Sequence, residues 1–172
     1  VINASASAPS GAAVNLYEDG VLVASGASPS AMRNYSSLGS HVWKVNISGG
    51  ENYTSGESNH TVSSIDSTYP QYSSLKESPN DPAAYSPSAS YQFNATWTDN
   101  MGISDVILEF NGVNYSLSTG QLSKNGNEYY KTFSNLKAGA YSYKWHANDT
   151  SNNWVATSLQ SYTIEKAIAA LF

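Results

Sequence analysis

Apolar residues recur at every second position through much of the chain, and the three-to-four spacing that would mark a helix is nearly absent. Within 91–98, Tyr91, Phe93, Ala95 and Trp97 fall on one face while Gln92, Asn94, Thr96 and Thr98 fall on the other. This is the period of a strand buried on one side. Val106, Leu108 and Phe110 share a face in 103–110, and Tyr141, Tyr143, Trp145 and Ala147 alternate with Ser142, Lys144, His146 and Asn148. Runs at 129–133 and 162–164 extend the series. Asn111-Gly112 separates the 103–110 run from Val113, Tyr115 and Leu117, and Asn-Gly is the preferred pair for a two-residue hairpin because both positions need positive φ. The first part repeats the style on a smaller scale. Val14 and Leu16 lead through Asp19-Gly20 to Val21, Leu22 and Val23; Trp43, Val45 and Ile47 alternate with polar neighbours; and 61–65 reads as a closing strand. The pattern predicts an all-β protein whose cores rest on Trp43, Trp97 and Trp145.

Between these halves, 66–90 holds four of the six prolines, at Pro70, Pro79, Pro82 and Pro87. The boundary is placed there: a small module over 1–65, and a second over 66–166 that begins with a Pro/Ser-rich linker and a first strand near 71–77. Six apolar residues, Ala167, Ile168, Ala169, Ala170, Leu171 and Phe172, end the chain without turn chemistry. Three readings are open for them: docking on their own module, a fragment of a following segment, or a subunit contact, in which a terminal strand of one copy completes an open-edged module of the next and gives a homo-oligomer or homopolymer. The start at Val1 rather than Met is read as a processed chain or a segment of something longer.

The segments "YQFNATWTDNMGISDVILEFNGVNYS" and "LKAGAYSYKWHANDTSNNW" resemble the immunoglobulin-like β-sandwich repeats of large archaeal cell-surface glycoproteins of surface-layer, filament or adhesin type. "AAVNLYEDGVLVAS" with "LGSHVWKVNISGGENYTS" is similar to a shorter module that accompanies such repeats. The resemblance implies two immunoglobulin-like sandwich modules in tandem, at an extracellular cell surface. The 136–141 segment is similar to the tyrosine corner of sandwich folds, in which a Tyr early in a late strand bonds back to nearby backbone.

Composition changes this picture in one respect. Charged residues make up 12% of the chain, with a formal net charge of -5, about half the usual ~25%. Thirty Ser, ten Thr and seventeen Asn supply the polar surface instead. Eight unclustered cations argue against nucleic acid as a partner. No apolar run approaches the ~20 residues of a membrane-spanning helix. The lack of Cys removes disulfides, thiolate chemistry and Cys-based zinc sites together.

Eight Asn-x-Ser/Thr sequons occur, at Asn3, Asn34, Asn46, Asn52, Asn59, Asn94, Asn114 and Asn148, against about four expected by chance from the composition. Asn46, Asn94, Asn114 and Asn148 fall opposite the apolar faces, so N-glycans there are expected to project into solvent. Asp99, Asn100, Asp105 and Asp149 offer oxygen ligands of the kind calcium takes. Their spacing is not that of a calcium loop, and Asp and Asn in turns usually cap their own backbone, so neither a metal nor a cofactor is assigned. His41, His60 and His146 lie in separate segments without a catalytic motif, and no enzyme is expected. The tyrosines, Tyr129 or Tyr130 among them, offer rings that stack on sugars, so an adhesion or carbohydrate-binding module that takes surface glycans is the alternative to a structural subunit.

Overall fold

The computed structural model describes residues 1–8, 12–49 and 51–168, and it is all-β. Its contacts divide the chain into two units, Val1–Asp66 and Ser67–Phe172.

The first unit holds β1 (Ile2–Ser5), β2 (Val14–Glu18), β3 (Val21–Gly26), β4 (Ser30–Arg33), β5 (Gly39–Ile47) and β6 (Gly56–Ser64). β3, β2, β5 and β6 form one antiparallel sheet in that order, and β1 with β4 forms a two-stranded second sheet. Asp19 and Gly20 both take positive φ, 48° and 83°, closing the β2–β3 hairpin as their sequence demands. Among the described residues, Val14, Leu16 and Trp43 are the buried hydrophobic ones of this unit.

The second unit holds β7 (Gln71–Ser78), β8 (Ala83–Ala84), β9 (Ser90–Thr98), β10 (Ile103–Phe110), β11 (Val113–Ser116), β12 (Ser123–Asn125), β13 (Glu128–Ser134), β14 (Gly139–Asp149), β15 (Trp154–Ala156) and β16 (Gln160–Glu165). One sheet runs β12-β13-β9-β7 and the other β11-β10-β14-β16-β8, with β15 paired to β14. This is the strand order of an immunoglobulin-like sandwich. Alternation aims Tyr91, Phe93, Ala95 and Trp97 of β9 at Val106, Leu108, Trp145 and Ala147 of the facing sheet, all at 0% exposure. Phe93 sits at the centre of an aromatic cluster, 5.1 Å from Phe110, 4.9 Å from Tyr143 and 5.0 Å from Tyr162 between ring centroids. Asn111 and Gly112, with φ of 48° and 77°, close the β10–β11 hairpin. The Tyr141 hydroxyl donates to the Lys137 carbonyl four residues upstream at 2.7 Å, which is the corner bond read from the sequence.

The fold is therefore two immunoglobulin-like β-sandwich modules in tandem, built on one plan. β1, β2, β3, β4, β5 and β6 pair with one another as β9, β10, β11, β13, β14 and β16 do. No strand in the described part of the first unit matches β7 or β8.

Candidate functional site

The first unit leaves part of its inner sheet face uncovered, because a two-stranded sheet cannot roof a four-stranded one. Trp43, Val45 and Ile47 of β5 point inward beside Ser58, His60 and Val62 of β6, yet His60 is exposed and Val45 and Ile47 are only half-buried. A groove of about 430 Å³ results, walled by Ile2 and Ala4 of β1, floored by Leu16, Trp43 and Val45, and closed by Val62 of β6. It continues past Val45 and Ile47 toward Gly56 as a second hollow of about 230 Å³. Asn3 and Asn59 stand on its rims.

At one end of this unit lies a polar cluster that sequence reasoning missed. Glu18 accepts from Arg33 Nε at 2.6 Å and from the Tyr35 hydroxyl at 2.7 Å, and the Tyr35 oxygen accepts from Trp43 Nε1 at 2.9 Å. Asp19 accepts from the Val42 amide at 2.7 Å and contacts His41 Nδ1 at 2.8 Å, while Tyr35 stacks on His41 with centroids 3.8 Å apart. The Val42 amide, and then His41, hold the Asp19 carboxyl below the usual carboxylate range. Desolvation, reinforced by the bond to Glu18, raises the Tyr35 hydroxyl. Glu18, Asp19 and His41 place ligand-type atoms within 4.8 Å of one another. The Arg33 guanidinium already compensates Glu18, and the remaining bonds orient Trp43, so the cluster reads as the clamp that holds the groove's floor. No sequence signal marks it, since its hydrogen-bonded pairs are 8 to 23 residues apart along the chain and meet through strand register.

The acidic residues considered for calcium are capping groups in the structure. Asp99 accepts from the amides of Met101 and Gly102. Asp149, 1% exposed, accepts from the amides of Ser151 and Asn153 and from Asn153 Nδ2. Desolvation pushes its pKa up, but these donors outweigh that and leave it lowered. The fold brings the Asp99 and Asp149 carboxylates within 4.8 Å of each other. Asp105 goes elsewhere: its oxygens take the Val106 and Ser118 amides and the Ser116 and Ser118 hydroxyls. Asn100 is exposed.

Among the sequons, Asn3, Asn34, Asn52, Asn59 and Asn114 are exposed and Asn46 is half-buried. Asn94 is half-buried and donates to Glu128 at 3.0 Å. Asn148 corrects the expectation that it faces solvent. It is 8% exposed: its Oδ1 accepts from the Asp105 amide beside the register irregularity of β10, and its Nδ2 donates to Asn152 in the turn before β15. His146 faces Glu109 across the sheet at 3.2 Å, and with Lys144 it holds that carboxyl below its usual range. Tyr129 is buried and Tyr130 half-buried. Of the terminal apolar residues, Ile168 is 97% exposed and Ala167 is exposed, while Ala169, Ala170, Leu171 and Phe172 lie outside the described residues.

A chain of two immunoglobulin-like modules is thus defined by its strand order and cores. No family model and no curated protein matches it. Among solved structures it is similar to the fibronectin(III)-like modules of Clostridium thermocellum CbhA at 18% identity, over 96% of this chain and 85% of that one, with a TM-score of 0.42. It is similar to the titin domains Z1Z2, solved in complex with telethonin, at 12% identity over 97% and 89%, TM-score 0.45. Bacteroides ovatus SGBP-B, solved with a mixed-linkage heptasaccharide, matches at 13% over 95% and 64%, TM-score 0.26. Likenesses this distant say nothing about what this chain binds. No described helix is long and apolar enough to cross a membrane.

Proposed function

We propose that the chain is a non-enzymatic structural subunit of an extracellular cell-surface assembly, a glycosylated filament or surface-layer protein joined by β-strand complementation. The observation that carries this reading is the groove of the first unit, an uncovered apolar inner face bordered by two strand edges. The coat supports it. Asn34, Asn46, Asn52 and Asn114 leave their side-chain amides outside the buried hydrogen-bond network and take the N-glycans, whereas Asn148 and Asn94 are engaged in the fold and Asn3 and Asn59 line the groove. Partners are then further copies of the chain, with neither cofactor nor metal required. Negative-stain imaging and intact mass of the native material test the proposal together. Filaments or a lattice, with masses above the 18.4 kDa polypeptide, are expected; unmodified monomeric particles would overturn it.

A second reading, an adhesion or carbohydrate-binding module, draws on Trp154, which is 45% exposed and held by a bond from its Nε1 to Asn152. A fixed, exposed indole suits sugar stacking. Saturable binding of the monomer on a glycan array, lost in Trp154→Ala, would favour it.

A further inference from the structure

At one end of the second unit the two sheets bring a pair of carboxylates together. Asp99 directly follows β9 of one sheet, and Asp149 is the last residue of β14 in the other. Their carboxylates offer oxygens within 4.8 Å of each other. Capping accounts for only part of this chemistry. The amides of Met101 and Gly102, at 2.8 and 3.1 Å, both donate to Asp99 Oδ1, and Asp99 Oδ2 is shut off from solvent without a hydrogen-bond donor. Asp149, 1% exposed, gives its Oδ1 to the Ser151 and Asn153 amides. Its Oδ2 takes Asn153 Nδ2 at 2.8 Å, which leaves that oxygen a lone pair. Among the described residues neither carboxylate is in an ion pair. A buried carboxylate oxygen without a donor, set beside a second buried carboxylate, is costly until a cation stands between them.

We infer that the second unit binds one calcium ion between Asp99 and Asp149. Calcium takes carboxylate oxygens at about 2.3–2.6 Å, so two of its ligands stand at most about 5 Å apart, and one ion reaches both side chains. The pair offers oxygen alone, which suits a hard cation rather than zinc or copper. The seat is also fixed in advance. The Thr150 amide donates to the Gly102 carbonyl at 3.1 Å, and Ile103 pairs with Asp149, so the turn after β9 and the turn after β14 are already joined. An ion held there ties the end of β9 to the end of β14, a cross-sheet link in a chain that has no cysteine to make one. This is a stabilising site within one module, and the structural-subunit reading stands with or without it.

The test uses the full chain, stripped with EDTA and titrated with calcium chloride by isothermal calorimetry. One site per chain is expected, with a Kd of about 10⁻⁴ M, as in other extracellular modules. Calcium at about a hundredfold that concentration should raise the melting transition of the second module by about 10 °C, reversibly with EDTA, and leave that of the first in place. Asp99→Asn keeps an oxygen for the Met101 and Gly102 amides and removes the charge, so it should bind calcium at least about tenfold more weakly and lose most of that rise. Amide NMR shifts locate the ion without a substitution: calcium should move 99–102 and 149–153 and leave the first module unchanged. No binding up to about 10 mM calcium, with melting indifferent to EDTA, would overturn the assignment. So would Asp99→Asn binding calcium as tightly as the parent chain. If Asp99→Asn fails to fold, the shifts decide, and shifts confined to other residues would overturn it.

Discussion

The two modules share a hairpin plan and differ in how much of it is closed. Among the described residues, fifteen buried hydrophobic ones form the second module's core, where β7 and β8 extend both sheets past β9 and β16. The first module buries Val14, Leu16 and Trp43, and half-exposes Val45 and Ile47 on the same inner face. At ~25 cal/mol per Å² of apolar surface removed from water, stability follows coverage, and one or two strands decide whether a sheet's inner face is roofed. The two units share the pairing of six strands and differ, among the described residues, in whether further strands flank the outer edges of that set.

The largest expected effect sharpens the contrast from the closed side. Trp97 is fully buried and packs at a tilt against Tyr72 with centroids 5.3 Å apart, so Trp97→Ala should cost ~3–5 kcal/mol. Calorimetry should show the higher-melting transition collapse while the transition of the open module stays in place. A smaller effect comes from the corner. Tyr141→Phe removes the bond to the Lys137 carbonyl and keeps the ring's contact with Phe110, which predicts a loss of about 1 kcal/mol in urea unfolding of the second module alone.

Acid should weaken both modules by the same mechanism. The Val42 amide, then His41, lower Asp19; His146, then Lys144, lower Glu109; and backbone and side-chain donors from 151–153 outweigh desolvation to lower Asp149. A carboxyl whose folded pKa lies below its unfolded value stabilises the fold above the unfolded value and loses that contribution as pH falls through the folded one. Denaturant midpoints should therefore hold from neutral pH down to the ordinary carboxylate range and drop below it. Asp149→Asn should flatten that drop for the closed module and leave that of the open one unchanged. In the alkaline direction the Tyr162 hydroxyl, pushed up to about 12 by desolvation and then by Tyr91, Asp81 and Glu77, should stay protonated after ordinary tyrosines have titrated in an absorbance titration. The smallest effect is at the surface: Lys44–Glu57 is an exposed pair at 2.6 Å, and Lys44→Ala should shift the first module by under ~1 kcal/mol.

Much of the closed module is legible in the residues. β9, β10 and β14 alternate cleanly because each is buried on one face, and Asn111-Gly112 and Asp19-Gly20 mark hairpins by their need for positive φ. β1 and β4 escape such reading, since Ile2–Ser5 and Ser30–Arg33 each carry a single large apolar side chain and take their strand form from each other. Their pairing is what defines the groove, so the site was less visible than the fold. The Glu18–Tyr35–Trp43 clamp depends on register between segments, which no local pattern encodes. Asn148 shows a further limit. Alternation assigns a side chain to a face of the sheet, and cannot tell that the Asp105 amide and Asn152 engage that side chain there.

Hydrogen exchange of the full chain, read at low and high concentration, tests most directly whether the first module is completed from outside. Outer-edge amides of β1 and β6 should slow markedly as concentration rises, while those of β9 and β16, already flanked on both sides, stay constant. Equal exchange of the β1 and β6 amides at every concentration would contradict the account.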